Sequence, residues 1–281
     1  GQPGIQVVIL YPKGKISPLQ EKLFCTLGGN VHTVAVDSDF DTCQQMVKSS
    51  FEDDELRTGL GLNSANSINI ARLLAQVCYY FEAAAAAEDV RRQVFCVPSG
   101  NFGNVTAGLI ARTIGLPYKR IIAATNVNDT VPRFLASGKW NPNPTVETIT
   151  NAMDISLPNN FPRVLELGER HGQPLERLLS SQSLTDAETR DAMRSLHACG
   201  YLADPHTALA WSALNSGLTA DEEGTFLCTA HPAKFREDVE RVLSLELELP
   251  EGLAEVVDRE VQSETISSDF EAFKPILLGN S

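Results

Sequence analysis

Short apolar runs alternate along this chain with segments whose apolar positions recur every three or four residues. Ile5-Gln6-Val7-Val8-Ile9-Leu10-Tyr11 is a nearly continuous apolar run, the pattern of a strand buried on both faces. Ser17-Pro18 then predicts a helix, with Ser as N-cap and Pro at the first helical position. It carries Leu19, Leu23 and Leu27 and stops at Gly28-Gly29. Residues 31–36 read as the next strand, and Asp39 or Asp41 caps a helix through Cys43, Met46 and Val47. The most apolar helical stretch, 68–87, presents Ile70, Leu73, Leu74 and Val77 on one stripe. Strands follow at 93–97, 120–125 and 224–229, with helices at 105–112, near 130–135, at 186–200, after Asp204-Pro205, and from His231 to near Leu243. Strand alternating with helix predicts an α/β fold with mostly parallel sheets. Residues 140–185 are less periodic and more polar and read as a peripheral insertion; the acidic tail reads as surface. The expected organisation is part of a small α/β domain over residues 1–63 and a larger α/β domain over 64–281. The opening Gly1-Gln2-Pro3-Gly4 leads straight into a strand with no initiator Met, which reads as the middle of a domain.

Two polar stretches interrupt this pattern at helix starts. Ser99-Gly100-Asn101-Phe102-Gly103-Asn104 lies between the strand at 93–97 and the helix at 105–112. N–H groups at a helix start have no intrahelical acceptor, the helix dipole adds positive potential, and glycines allow close backbone approach. Such a loop is a ready anion site, although a plain strand-to-helix turn has the same pattern. The second stretch is Asn63-Ser64-Ala65-Asn66-Ser67-Ile68-Asn69, followed by Arg72 about one turn into the next helix. One cap needs one such residue and here there are five, so small polar donors plus an Arg suggest a second phosphate or carboxylate site. For Asn66 a capping role competes with ligand contact.

Charge and cysteine usage narrow the function class. The net charge is −13, from 36 acidic and 23 basic side chains, which argues against a nucleic-acid or acidic-membrane surface but not against one locally positive pocket. No apolar run is long enough to span a bilayer. The six cysteines are scattered without a CxxC pair, which suggests reduced thiols in a cytoplasmic protein. Neither they nor the five histidines show metal-ligand spacing.

Longer segments carry a more specific signal. LNSANSINIARLLAQ (62–76), VPSGNFGNVTAGLIA (97–111) and CTAHPAKF (228–235), with ILYPKGKISPLQEKLF (9–24) and AATNVNDTVPRFL (123–135), closely resemble the threonine synthase family. That family uses pyridoxal 5′-phosphate and has the fold type II architecture shared with tryptophan synthase β. The resemblance implies a lyase that converts O-phospho-L-homoserine and water into L-threonine and phosphate, in a monomer or homodimer. It implies that Gly100, Asn101, Phe102, Gly103 and Asn104 hold the cofactor phosphate and that Asn66, Ser67 and Arg72 hold the substrate phosphate. Thr229 would face the pyridine nitrogen, where a hydroxyl does not enforce ring protonation as a carboxylate would. His231 reads as structural, and Lys234 as a surface or phosphate-attracting charge.

The match also has gaps. The family's Schiff-base lysine sits in a Phe-Lys-Asp motif, and no lysine here has that context; the Ser-Gly-Asp-Thr loop that contacts the substrate carboxylate is missing too. The catalytic lysine is therefore expected upstream, with this chain inactive alone. The alternatives are another fold type II lyase, such as a threonine dehydratase, or a non-catalytic phospho-ligand-binding relative. The Asn66/Ser67/Arg72 cluster speaks against a dehydratase, whose substrate carries no phosphate.

Overall fold

The structure is a computed structural model that describes residues 2–279; Gly1, Asn280 and Ser281, the outermost residues of the two expected domains, lie outside the described residues. Among the described residues there are seven strands: β1 (Val7–Pro12), β2 (Val31–Val36), β3 (Gln93–Pro98), β4 (Arg120–Thr125), β5 (Leu179–Ser183), β6 (Glu223–Phe226) and β7 (Glu264–Ile266). They form two sheets, of order β1-β2-β7 and β5-β4-β3-β6, and every pairing is parallel. The chain divides into two compact units. One runs to Asn63 and takes in Ala233–Arg236 and the chain from Glu246 onward; the other comprises Ser64–Pro232 and Glu237–Leu245.

The first unit builds its sheet on β1 and β2. Ser17 caps the helix Pro18–Cys25, its Oγ accepting from Gln20 N at 3.2 Å, and Asp39 caps Phe40–Glu52 through Thr42 N. The acidic tail is not a surface extension of the larger domain. β7 pairs with β2, Phe273 is buried against Val36, Cys43 and Met46, and Lys274 bonds Asp53 and Glu55. A three-residue strand in charged surroundings has too little periodicity to announce itself.

In the second unit β3 and β4 are central, which explains their continuous apolar sequence. Phe95 and Val97, with Ile121 and Ala123, pack on one face among Leu73, Tyr80, Val105 and Leu109. Val94 and Cys96, with Ile122 and Ala124, pack on the other among Leu209, Ala210, Ala213 and Leu214. The strand period of two thus delivers alternate residues to two helix layers. The stretch expected as a peripheral insertion is integrated into this unit. β5 pairs with β4, Met153, Phe161 and Val164 are buried, and the exposed residues concentrate in the loop around 139–147 and in the segment around 169–177. β6 stops at Phe226, short of the expected 224–229, although Leu227 N still donates to Cys96 O at 2.9 Å.

No helix among the described residues is long and apolar enough to cross a membrane. All six cysteines are free thiols; Cys25, Cys43 and Cys96 are buried, and Cys78, Cys199 and Cys228 are exposed.

Candidate phosphate-binding site

The glycine loop leaves the C-terminal end of β3 and enters the helix Gly103–Thr113. Phe102 forms the N-cap at φ 58° and ψ 15°, the left-handed region that a non-glycine residue rarely adopts. Its ring is buried and meets Phe161 edge-on at 5.6 Å, and its carbonyl accepts from Thr106 N at 3.0 Å and Thr106 Oγ1 at 2.7 Å. Packing therefore holds a strained residue in place. A left-handed turn at a helix start gathers successive N–H groups into a concave anion cradle.

The glycines are required by protein neighbours. A Cβ on Gly100 would lie 2.6 Å from Met153 Cα, and one on Gly103 would lie 3.1 Å from Ser67 Cβ. What this leaves for a ligand is the backbone. Among the described residues, the N–H groups of Gly100, Asn101, Phe102, Gly103 and Asn104 find no acceptor. Five unpaired amides at the start of an eleven-residue helix fit a phosphate group. The Asn side chains of the loop are committed to the scaffold. Asn101 Nδ2 donates to Ser67 Oγ at 3.0 Å and its Oδ1 accepts from Asn159 N at 2.6 Å. Asn104 accepts from Tyr80 OH, which lies 2.7 Å from both its carbonyl and its Oδ1.

The second polar cluster lies at the start of the helix Ile70–Ala85. Its cap is Asn69, whose Oδ1 accepts from Ala71 N at 3.0 Å, so the capping role weighed for Asn66 belongs to Asn69. Asn66 N donates to Ser64 Oγ, and Asn66 Oδ1 accepts from Ser67 Oγ at 3.2 Å. Arg72 is exposed. Its Nη1 donates to Ala65 O at 2.7 Å, and among the described residues no carboxylate lies within 4 Å of it. The fork of donors is thus largely open to an anion, and the salt bridge that would have made it a plain surface arginine does not form.

Ser67 brings the two loops together through its bond from Asn101. Thr229 stands apart from this network. It is exposed, three residues beyond β6, and no hydrogen bond joins it to the glycine loop among the described residues. β3 and β6 run parallel with Cys96 opposite Phe226, so both chains leave the sheet at the same end.

Sequence reasoning passed over Asn160 and Arg163. Asn160 is fully buried and donates to Ser67 Oγ at 3.1 Å; Arg163 reaches Ser67 O at 2.9 Å and Ile68 O at 2.6 Å. A second omission is Asp154, which accepts from Thr148 N, Thr148 Oγ1 and Asn126 Nδ2 next to Met153, the residue against Gly100. Burial pushes its carboxyl up to about 6 against those hydrogen bonds. Polar residues at 150–163, without periodicity but dense in Asn, were the available signal. Two of the lysines, Lys119 and Lys274, are held as charged ion-pair donors. Hydrogen bonds from Lys119 to Asp221 and from Lys274 to Asp53 raise both ammonium groups, opposite to what an amine nucleophile needs.

A parallel α/β unit with a loop of unpaired amides at a strand's C-terminal end matches a known class of enzyme. The chain belongs to the pyridoxal-phosphate-dependent enzyme family, whose family model ("Pyridoxal-phosphate dependent enzyme") matches residues 2–229, and its fold is of type II. A second family model, "Threonine synthase, C-terminal", matches residues 207–277. Among its relatives, the threonine synthase of Haemophilus influenzae is 58% identical over 280 residues, 99% of this chain and 66% of the relative. The crystal structure of threonine synthase from Escherichia coli superposes with a TM-score of 0.96 at 56% identity, covering 99% of this chain and 65% of that one. A pyridoxal-phosphate-bound threonine synthase from Brucella melitensis superposes with a TM-score of 0.87 at 32% identity, covering all of this chain and 66% of that one. The chain thus spans about two thirds of the length of these relatives.

Proposed function

We propose that this chain carries the cofactor-phosphate and substrate-phosphate sites of a threonine synthase, which converts O-phospho-L-homoserine and water into L-threonine and phosphate. The observation that carries this reading is the pairing of two donor groups: the open amides of residues 100–104 and the guanidinium of Arg72, which spends only its Nη1 on Ala65 O, in segments joined through Ser67. When bound, pyridoxal 5′-phosphate supplies the electron sink for carbanion chemistry at the amino acid.

The chain's own residues do the holding. The amides of Gly100, Asn101, Phe102, Gly103 and Asn104 bind the cofactor phosphate, and their fixed geometry costs no reorganisation. Arg72 forks onto the substrate phosphate, with Asn66 and Ser67 as short donors beside it. Thr229 presents a hydroxyl to the cofactor ring, and such a neutral group leaves the ring nitrogen unprotonated. The amine nucleophile is supplied by a lysine other than those of this chain, so the chain alone does not turn over. A dehydratase has no use for a second phosphate site, and Arg72 favours the synthase.

Equilibrium binding tests this reading. O-phospho-L-homoserine should bind at least tenfold more tightly than L-homoserine, and Arg72→Met should abolish the difference, a loss of about 1.5–3 kcal/mol for charge-assisted bonds. Equal binding of the two amino acids by the unaltered chain would refute the reading.

A further inference from the structure

Three chain segments meet at one hydroxyl. Ser67 Oγ accepts from Asn101 Nδ2 of the glycine loop at 3.0 Å and from Asn160 Nδ2 at 3.1 Å, which fills both of its acceptor positions. Its single proton goes to Asn66 Oδ1 at 3.2 Å, long for an O–H···O bond. That proton can turn to an incoming anion without breaking either accepted bond.

Arg163 secures this junction from behind. Nη1 donates to Ser67 O at 2.9 Å and to Asn160 Oδ1 at 2.6 Å, and Nη2 donates to Ile68 O at 2.6 Å. Among the described residues no carboxylate lies within 4 Å of it, so its charge is answered only by carbonyl and amide dipoles. The same segment grips the glycine loop: Asn159 N donates to Asn101 Oδ1 at 2.6 Å and Asn160 N to Asn101 O at 3.3 Å. Asn160, with no exposed surface, has no alternative partner in water.

We propose that Asn160 and Arg163 are positioning residues that lock the two phosphate loops together through Ser67, so that filling one loop strengthens binding at the other. The proposal rests on the assignment of both loops as phosphate sites. Its physical basis is polarisation along a hydrogen-bond chain. When the Ser67 proton moves from the long bond with Asn66 to a phosphate oxygen, the hydroxyl becomes a partner in a shorter, charge-assisted bond. The Asn101 and Asn160 donors respond through the same oxygen. Arg163 holds the Ser67 and Ile68 carbonyls so that the hydroxyl cannot swing away from Asn101. Without it the two loops are separate elements with separate affinities.

The probes are pyridoxamine 5′-phosphate and pyridoxamine, which differ only in the phosphate and carry no aldehyde to react with amines. O-phospho-L-homoserine serves as the second ligand. In the unaltered chain, the phosphorylated probe should bind more tightly, and saturating O-phospho-L-homoserine should tighten it further. In Arg163→Met, affinity for pyridoxamine 5′-phosphate should fall roughly tenfold, pyridoxamine should bind as before, and the effect of the second ligand should vanish. Ser67→Ala should likewise remove the coupling and Ser67→Thr should retain it, which keeps the test open if Arg163→Met fails to fold. Equal losses for both probes, or coupling that survives in Arg163→Met and Ser67→Ala, would overturn the proposal. If the unaltered chain does not favour the phosphorylated probe, the phosphate-loop assignment itself fails, and the coupling falls with it.

Discussion

Replacing Gly100 by alanine probes the clamp on the glycine loop. The added Cβ would lie 2.6 Å from Met153 Cα and 3.1 Å from both Met153 C and Met153 O. Carbon atoms rest at about 3.5–4.0 Å, so one backbone must retreat by about 1 Å. All three atoms are main chain, and no rotamer change relieves the clash. The Met153 side is pinned: Met153 N donates to Thr150 O at 2.8 Å, Ile155 N to Met153 O at 2.8 Å, and Asp154 accepts from Thr148 and Asn126. The glycine loop therefore yields. Overpacking costs about 1–3 kcal/mol, and the stiffer unfolded chain returns about 0.4–1 kcal/mol. A net loss of about 1.3 kcal/mol follows, roughly a tenfold change in the folded-to-unfolded ratio. Urea unfolding followed by tryptophan fluorescence reads this directly, because Trp140 and Trp211 both lie in the Ser64–Pro232 segment. Gly100→Ala should lower the midpoint and weaken pyridoxamine 5′-phosphate binding together. A variant as stable as the parent, with unchanged binding, would refute the close approach of Met153 and the rigidity assigned to the loop.

Two further predictions concern the support beneath the site. Arg120 bonds Glu222 through Nε at 2.9 Å and Nη2 at 2.7 Å, and this holds the Glu222 carboxyl down at about 2 from a reference of 4.5. The Glu222 side chain is only 3% exposed. The depressed acid contributes its stability in full above about pH 4.5 and loses it as pH falls towards 2, about 3 kcal/mol in all. Glu222→Gln should remove that share of the difference between pH 7 and pH 2 in parallel urea titrations. Tyr80→Phe deletes the hydroxyl that reaches Asn104 and should cost about 1 kcal/mol by the same fluorescence assay, with little effect on the aromatic packing against Phe95 and Tyr118.

The parts of this fold that were legible in the sequence are those with strong local signals. Ser17, Asp39 and Asp204 cap helices where their sequence context places them. The continuous apolar runs of β3 and β4 follow from burial on both faces, whereas β1, an edge strand with Val7 exposed and Val8, Ile9 and Leu10 half-buried, is less enclosed than its apolar run implies. The parts that were not legible depend on distant partners. β5 is a half-buried edge strand whose sequence, Leu-Ser-Ser-Gln-Ser, has no strand propensity of its own and forms because β4 is beside it. β7 is three residues long and is placed by β2. At the site, the glycine loop and Arg72 stood out as motifs. The roles of Asn160 and Arg163 did not, because a buried asparagine is explained only by what it bonds, here a serine 93 residues away in sequence. Asn66 shows the converse: its residue type suited a cap, but Asn69 occupies the geometry.

The central claim is that the backbone amides of residues 100–104 are the phosphate ligands. The most direct measurement is a titration of the isotope-labelled chain with pyridoxamine 5′-phosphate, following amide proton and nitrogen chemical shifts. The account predicts that the Gly100, Asn101, Phe102, Gly103 and Asn104 amides move downfield together and saturate on one curve, and that pyridoxamine leaves them in place. Saturable shifts elsewhere in the chain, with these five amides unmoved, would contradict it.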